Sequence, residues 1–233
     1  DVCSSDLDLD EQGVGGAGVD AALEARRREL VTQPERFIAQ KGKELVSQPI
    51  KGTRKRQLEE NQAQADIEAV ASLKESEKDR AENIMIVDLV RNDMSRVCNS
   101  GSVHVPALCE VYTYSHVHQM ISTVKGTLKE GANVTEIVHA TFPMGSMTGA
   151  PKIAVMQATE GLENFSRGIY SGAVGYVWKD TMDLNVVIRS LMYDASKQQL
   201  SYAVGGAITI DSVATEEYQE CLDKAATVLS IFN

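Results

Sequence analysis

Tyr170-Ser171-Gly172-Ala173-Val174-Gly175-Tyr176-Val177, followed by Leu184 to Met192 and Gln199 to Ile210, is the stretch that decides the fold. β-Branched and aromatic residues mark all three segments as strands, and only Lys179 to Asp183 and Ala195 to Gln198 separate them. Connections this short join antiparallel neighbours, because a parallel crossover needs about a dozen residues or more. The reading is therefore a three-stranded antiparallel meander.

Outward from the meander the helices are grouped, not alternated with strands. Thr215 opens a closing helix, and Pro151 to Leu162 is a helix with proline in its first turn. Asn133 or Thr135 caps a helix running to about Phe142. Val103 to Val111 and Tyr112 to Leu128 read as strands. Leu58 to Leu73 reads as an amphipathic helix with Ile67, Val70, Ala71 and Leu73 on its core face. Asp79 to about Arg96 is a second, with Ile84, Val87, Leu89 and Val90 inward. Phe37 to Ser47 is a hairpin about Lys41-Gly42-Lys43, delivering Pro49 to Arg54 as a compact loop. The class implied is α+β, antiparallel β-sheets flanked by helices, and a doubly wound parallel sheet is disfavoured.

The 233 residues are 43% apolar and 24% charged, enough for a substantial core. Half of the formal net charge of -10 comes from Asp1, Asp6, Asp8, Asp10 and Glu11, so the balance argues against general nucleic-acid binding without naming a substrate. Cys3, Cys98, Cys109 and Cys221 form no C-x-x-C pair, which disfavours a structural zinc site or a disulfide framework and points to a reducing, cytoplasmic setting. No apolar run approaches the roughly 18 residues of a membrane span, and the acidic start does not resemble a secretory signal. Residues 1–32 read as an acidic, glycine-rich flexible lead, with a short charged helical segment at Ala21 to Leu30. Gly13 to Gly18 matches a dinucleotide fingerprint in form, but Asp8 to Gln12 ahead of it makes a poor buried strand, and a linker is the better reading.

Several positions carry chemistry. Lys51, between Ile50 and Gly52-Thr53, is either a salt-bridge anchor or a reactive amine. Asp79 with Glu82, and Glu217 with Glu220, each project from one helical face; if the faces met, their carboxylates would need a cation, and oxygen ligands alone suit Mg²⁺. The alternative is that both pairs decorate solvated surfaces. Gly145 to Lys152 is a Gly/Ser/Thr loop whose amides, at a helix start, suit an anion, although it is not a P-loop. Gly205-Gly206 in a strand-like run marks a bulge or a close approach to a ligand. Arg189, on a strand, and Lys224, on the last helix, are candidate carboxylate partners. Glu136 with His139 matches half of a di-iron motif, His116 and His118 share a strand face, and Lys51 to Arg56 resembles a basic recognition patch; structural roles are the better reading for each.

Pro49 to Arg54, Asp79 to Asn83, Asp88 to Asp93, Gly145 to Lys152, Ile188-Arg189-Ser190 and Asp211-Ser212, in this order and spacing, resemble the chorismate-binding enzymes. The resemblance covers about Gln33 to the C-terminus and implies a chorismate-binding part over residues 33–233. Within that family it points to the aminodeoxychorismate synthases, which carry the lysine found here at Lys51, where anthranilate synthases carry alanine. It implies replacement of the C4 hydroxyl of chorismate by ammonia, in the making of para-aminobenzoate and folate. Anthranilate synthase, another chorismate enzyme and a non-catalytic fragment are the alternatives.

By the same resemblance Lys51 is the nucleophile, attacking C2 in its neutral form, and Glu35, in Pro34 to Phe37, is the acid that protonates the departing hydroxyl. Glu82 and Glu220 hold Mg²⁺, with Asp79 and Glu217 beside them, and the metal meets the ring carboxylate. Thr53, Ser146, Tyr170, Arg189, Gly205, Gly206 and Lys224 contact substrate, Arg189 and Tyr170 at the enolpyruvyl carboxylate. A glutamine amidotransferase subunit or domain is the implied source of ammonia. Gln33 and Ala207 depart from the family's usual serine and glycine, and Gln119 stands where anthranilate synthases have histidine. Family members also carry a long N-terminal part of the same fold; without it, exposed sheet edges are expected.

Overall fold

The computed structural model describes residues 4–5, 35–56, 63–115, 117–210 and 212–229. Apart from Ser4–Ser5, the lead over residues 1–32, with Gly13 to Gly18 and Ala21 to Leu30, lies outside the described residues, as do Gln33, Pro34, His116 and Asp211. The chain divides into two compact units, the larger comprising Glu35–Met156 and Ala173–Val186 and the smaller including Gln157–Gly172 and Val187–Asn233.

The larger unit is an antiparallel sheet with helices on it, as the α+β reading expects. Gly42, at φ 58°, makes the tight turn between β2 (Arg36–Lys41) and β3 (Glu44–Gln48). β6 (Val117–Thr127) pairs along one edge with β5 (His104–Thr113), and along the other with β4 (Ile50–Lys55) and then β3. β2 continues the sheet to β8 (Thr181–Val186), which ends at the edge strand β7 (Ala173–Trp178). All six residues of β7 are exposed, Trp178 among them.

Two helices follow β4. α1 (Ala63–Glu75) buries Leu73, and α2 (Glu77–Val97) buries Ile86, Val87, Met94 and Val97. Ser76 starts α2 by accepting the Asp79 N–H at 3.3 Å. α3 (Val134–Thr141) opens on a capping box in which Asn133 and Glu136 satisfy each other's backbone N–H groups. The core holds Ile38, Leu45, Met120, Val124, Ile137 and Met182, all essentially inaccessible to solvent. Each such side chain contributes roughly 1.5–3 kcal/mol by leaving water.

Past α3, a single turn α4 (Gly145–Thr148) leads to α5 (Lys152–Leu162), which has no buried residue. In the smaller unit β9 (Leu191–Asp194) and β10 (Gln199–Ala203) form a hairpin, with β1 (Ser4–Ser5) on the far side of β10. α6 (Ala214–Leu229) closes the unit's core through Cys221 and Ala225 against Tyr202, Val204 and Leu191.

Four sequence expectations are corrected. The meander is two hairpins in two sheets: Leu184 to Met192 breaks at residues 187–190, where Arg189 takes φ 51°. β10 ends at Ala203, so Gly205-Gly206 follows the strand and does not lie inside it. Pro49 to Arg54 is not a compact loop: from Ile50 it is β4, paired with β6 across a register shift between Ile50 and Thr53. Ile67, Ala71 and Ile84 do not face the core, with Ile67 and Ile84 at 62% and 38% exposed; of the residues expected there Leu73 and Val87 are buried, and Ile86 is buried as well.

Candidate active site

β4 carries the lysine that the sequence singles out. Gly52, at φ 82°, forms the irregularity between Ile50 and Thr53, and a Cβ there would lie 2.8 Å from Leu73 Cδ1 and 2.9 Å from Asp79 Cγ. Only glycine lets α1 and the start of α2 approach the strand so closely. Beside it Lys51 is half-buried, and among the described residues its amine makes no hydrogen bond or ion pair.

The two arginines of this basic run are engaged inside the fold, while Lys55 is exposed. Arg54 Nη2 donates to Asp79 Oδ2 at 3.0 Å, and Nη1 to the Thr53 carbonyl at 3.0 Å. Arg56 Nη2 donates to Asp66 Oδ2 at 3.1 Å, and the other oxygen of Asp66 is 3.0 Å from Nε2 of the buried His118, whose Nδ1 is 2.9 Å from Thr113 Oγ1. Two arginines tied to α1 and α2 are structural elements, which removes the recognition-patch reading. His118 is likewise a satisfied interior histidine, and Glu136 is held by its capping box.

Glu35 is buried just ahead of β2, with its carbonyl accepting the Val186 N–H at 2.9 Å. It lines a small cavity with Ser146, Ser47, Asp93 and Met144. Glu35 and Ser146 are thus brought to one cavity, whereas Lys51, Thr53, Asp79 and Glu82 do not line it. Thr53 lies opposite Gln119 in the β4–β6 register; the Gln119 side chain is buried and its amide oxygen has no hydrogen-bond partner among the described residues.

Lys152 Nζ lies 2.5 Å from Asp93 Oδ2 and 3.3 Å from the Thr141 carbonyl. The lysine that ends the Gly145 segment is therefore a strut onto α2. Burial pushes the Asp93 carboxyl above its usual value, against the opposing pull of Lys152 and Arg96. No sequence signal pairs these two positions, since they are 59 residues apart.

In the smaller unit the Lys224 amine donates to the Gly205 carbonyl at 3.0 Å and pairs with Glu220 at 2.7 Å. Glu217 is buried and accepts from Ser212 Oγ at 2.7 Å, and a Cβ on Gly206 would lie 3.2 Å from its other oxygen. Lys224, Gly205, Gly206, Glu217 and Glu220 therefore form one cluster at the end of β10 and the start of α6. Sequence reasoning missed Tyr202, whose hydroxyl donates to the Lys224 carbonyl at 3.2 Å and whose pKa burial pushes up to about 12, with Arg189 pulling the other way. The buried Tyr170 phenol is also raised, chiefly by burial. Arg189 is exposed and makes no hydrogen bond or ion pair among the described residues.

Among the described residues no three acids, histidines or cysteines converge as a ready cation cluster. The donor chemistry of Glu82, Glu217 and Glu220 is hard carboxylate oxygen, which fits a magnesium-like ion. Asp79 and Glu220 are each held by a basic side chain. No helix among the described residues is long and apolar enough to cross a membrane. Cys98, Cys109 and Cys221 are buried and form no disulfide among the described residues.

Comparison with known proteins agrees with this architecture. An aminodeoxychorismate synthase of Streptomyces pristinaespiralis is 48% identical over 203 residues, covering 86% of this chain and 28% of that protein. Aminodeoxychorismate synthase component 1 of Escherichia coli is 41% identical over 201 residues, covering 86% of this chain and 43% of that one. The crystal structure of anthranilate synthase component I from Streptococcus pneumoniae superposes with a TM-score of 0.76 at 31% identity, over 92% of this chain and 50% of that one. The chain thus spans less than half the length of these two curated relatives. The family model described as chorismate binding enzyme matches residues 21–230, and with β4, α2 and the Lys224 cluster formed as described, the chain belongs to the chorismate-binding enzyme family.

Proposed function

We propose that this chain is the chorismate-aminating portion of an aminodeoxychorismate synthase, converting chorismate and ammonia to 4-amino-4-deoxychorismate. One observation carries the reading: Lys51 is a half-buried amine with no hydrogen-bond or ion-pair partner among the described residues, whereas Arg54 on the same strand and Arg56 just past its end are both paired. An amine with no ion-pair partner among the described residues suits a nucleophile better than an anchor. The names of the relatives support the same reaction, and the substrate class follows from the family.

In this reading the Lys51 amine adds to C2 of chorismate, the ring double bond shifts, and the C4 hydroxyl leaves as water with a proton from Glu35. Ammonia then adds at C4 as the C2–N bond to Lys51 breaks, restoring the free amine. Lys224 and Arg189 would offer positive charge to the substrate's carboxylates, with Tyr170, Thr53, Ser146, Gly205 and Gly206 as further contacts. By the family resemblance Glu82 and Glu220, with Glu217, would hold Mg²⁺, which would supply positive charge for the ring carboxylate. Folate synthesis, a glutamine amidotransferase subunit as ammonia source, and a cytoplasmic setting belong to the same proposal; the "component 1" in relatives' names supports a partner component.

Incubation with chorismate, ammonia and Mg²⁺, then aminodeoxychorismate lyase and mass spectrometry, tests it. The expected product is 4-aminobenzoate; anthranilate, or no turnover with and without an amidotransferase and the remaining portion of a relative, overturns it.

A further inference from the structure

Asp79 is spent on β4. Its carboxylate accepts from Arg54 Nη2 at 3.0 Å, and it packs into the space that a Cβ of Gly52 would occupy, with Leu73 of α1 beside it. Gly52 is adjacent to Lys51, and the β4–β6 register breaks between Ile50 and Thr53, so regular strand pairing does not fix Lys51. Two other contacts hold the strand's far end: Arg56 to Asp66 on α1, and Asp66 to His118 on β6. Arg54 lies opposite that histidine in the register.

We infer that Asp79 is a positioning residue, which with Arg54 clamps the irregular part of β4 and so fixes the Lys51 backbone. This inference rests on the reading of Lys51 as the nucleophile. The physical argument is that a backbone irregularity at φ 82° leaves a gap in the β ladder. A chain segment with missing ladder bonds holds one geometry only when side chains over-determine it. Here the ion pair bridges β4 to the first turn of α2, which Ser76 caps through the Asp79 N–H itself. A carboxylate engaged by a guanidinium and packed at the foot of a glycine supports the strand.

The test compares Asp79→Asn, Asp79→Glu and Lys51→Ala in the full chain, by hydrogen exchange and by kinetics with chorismate, ammonia and Mg²⁺. Asparagine keeps the shape and loses the charge; glutamate keeps the ion pair. Asp79→Asn is expected to raise amide exchange at Ile50 to Lys55 while β3 and the second half of β6 keep wild-type protection. It should lower kcat by roughly ten- to a hundredfold, the scale of a small misplacement of a reacting group, with little change in the KM for chorismate or in the Mg²⁺ concentration for half-activation. Asp79→Glu should recover most of both. Unchanged exchange over Ile50 to Lys55, or a kcat like wild type, overturns the inference, and so does a selective shift of the Mg²⁺ requirement. If Asp79→Asn does not fold, Arg54→Lys is read in the same way. Full activity in Lys51→Ala defeats the nucleophile reading instead, and leaves the exchange result to report on the clamp alone.

Discussion

Lys152 Nζ sits 2.5 Å from Asp93 Oδ2, joining the start of α5 to the last turn of α2 by an ion pair in which the aspartate is almost fully buried. Burial raises the Asp93 pKa above 3.8 even with Lys152 present, so the folded chain holds this proton more tightly than the unfolded one. The corresponding stability is fully present below the unfolded pKa and is lost as pH rises through the folded pKa. Lys152→Met removes two of the three interactions that oppose the rise, leaving only the weaker pull of Arg96. It should therefore cost about 3–5 kcal/mol at neutral pH, and less on acidification as Asp93 takes up its proton. Urea unfolding at neutral and mildly acidic pH reads this directly; a penalty independent of pH would contradict it.

Gly52 and Gly131 both have positive φ, 82° and 79°, but a Cβ at Gly131 meets nothing within 4 Å while one at Gly52 meets Leu73 and Asp79. Gly131→Ala should cost about 1–2 kcal/mol, from backbone strain. Gly52→Ala adds overpacking of about 1–3 kcal/mol. Denaturant midpoints of the two variants should be well separated, and equal midpoints would mean that α1 and α2 give way freely at β4.

Tyr202→Phe removes the hydroxyl that donates to the Lys224 carbonyl at 3.2 Å. The expected loss is about 0.5–1.5 kcal/mol of stability. A small rise in the KM for chorismate should accompany it, because α6 carries both Lys224 and Glu220. Thermal unfolding and steady-state kinetics on one preparation check both effects.

Glu82→Gln and Glu220→Gln should each raise the Mg²⁺ concentration for half-activation by about 10–100-fold. Glu68→Gln, on the exposed face of α1, should not. Metal titration with activity as readout is sufficient, and an unchanged Mg²⁺ requirement in both variants would remove the two glutamates from the metal site.

Features set by neighbouring residues were legible in the sequence. The Gly42 turn, the Asn133–Glu136 cap and the start of α5 after Pro151 depend on local chemistry, and each forms where the residue types put it. The core face of α1 did not follow, because Ile67 and Leu73 lie about 120° apart around a helix at 100° per residue and so point to different faces. Only Leu73 meets the core, against Cys109 and Met120. The break at residues 187–190 was hidden inside the β-branched run Val186-Val187-Ile188, which gives no turn signal. For the site, acids and bases were readable as candidates, but their pairing was not: Arg54 with Asp79 and Lys152 with Asp93 are contacts between segments distant in sequence.

The most direct measurement is the product formed by wild type and Lys51→Ala from chorismate, ammonia and Mg²⁺, followed by mass spectrometry, with chorismate binding measured in parallel. Wild type should yield 4-amino-4-deoxychorismate, and Lys51→Ala should bind chorismate in a Mg²⁺-dependent way without aminating it at C4. Undiminished amination by the alanine variant would contradict the account.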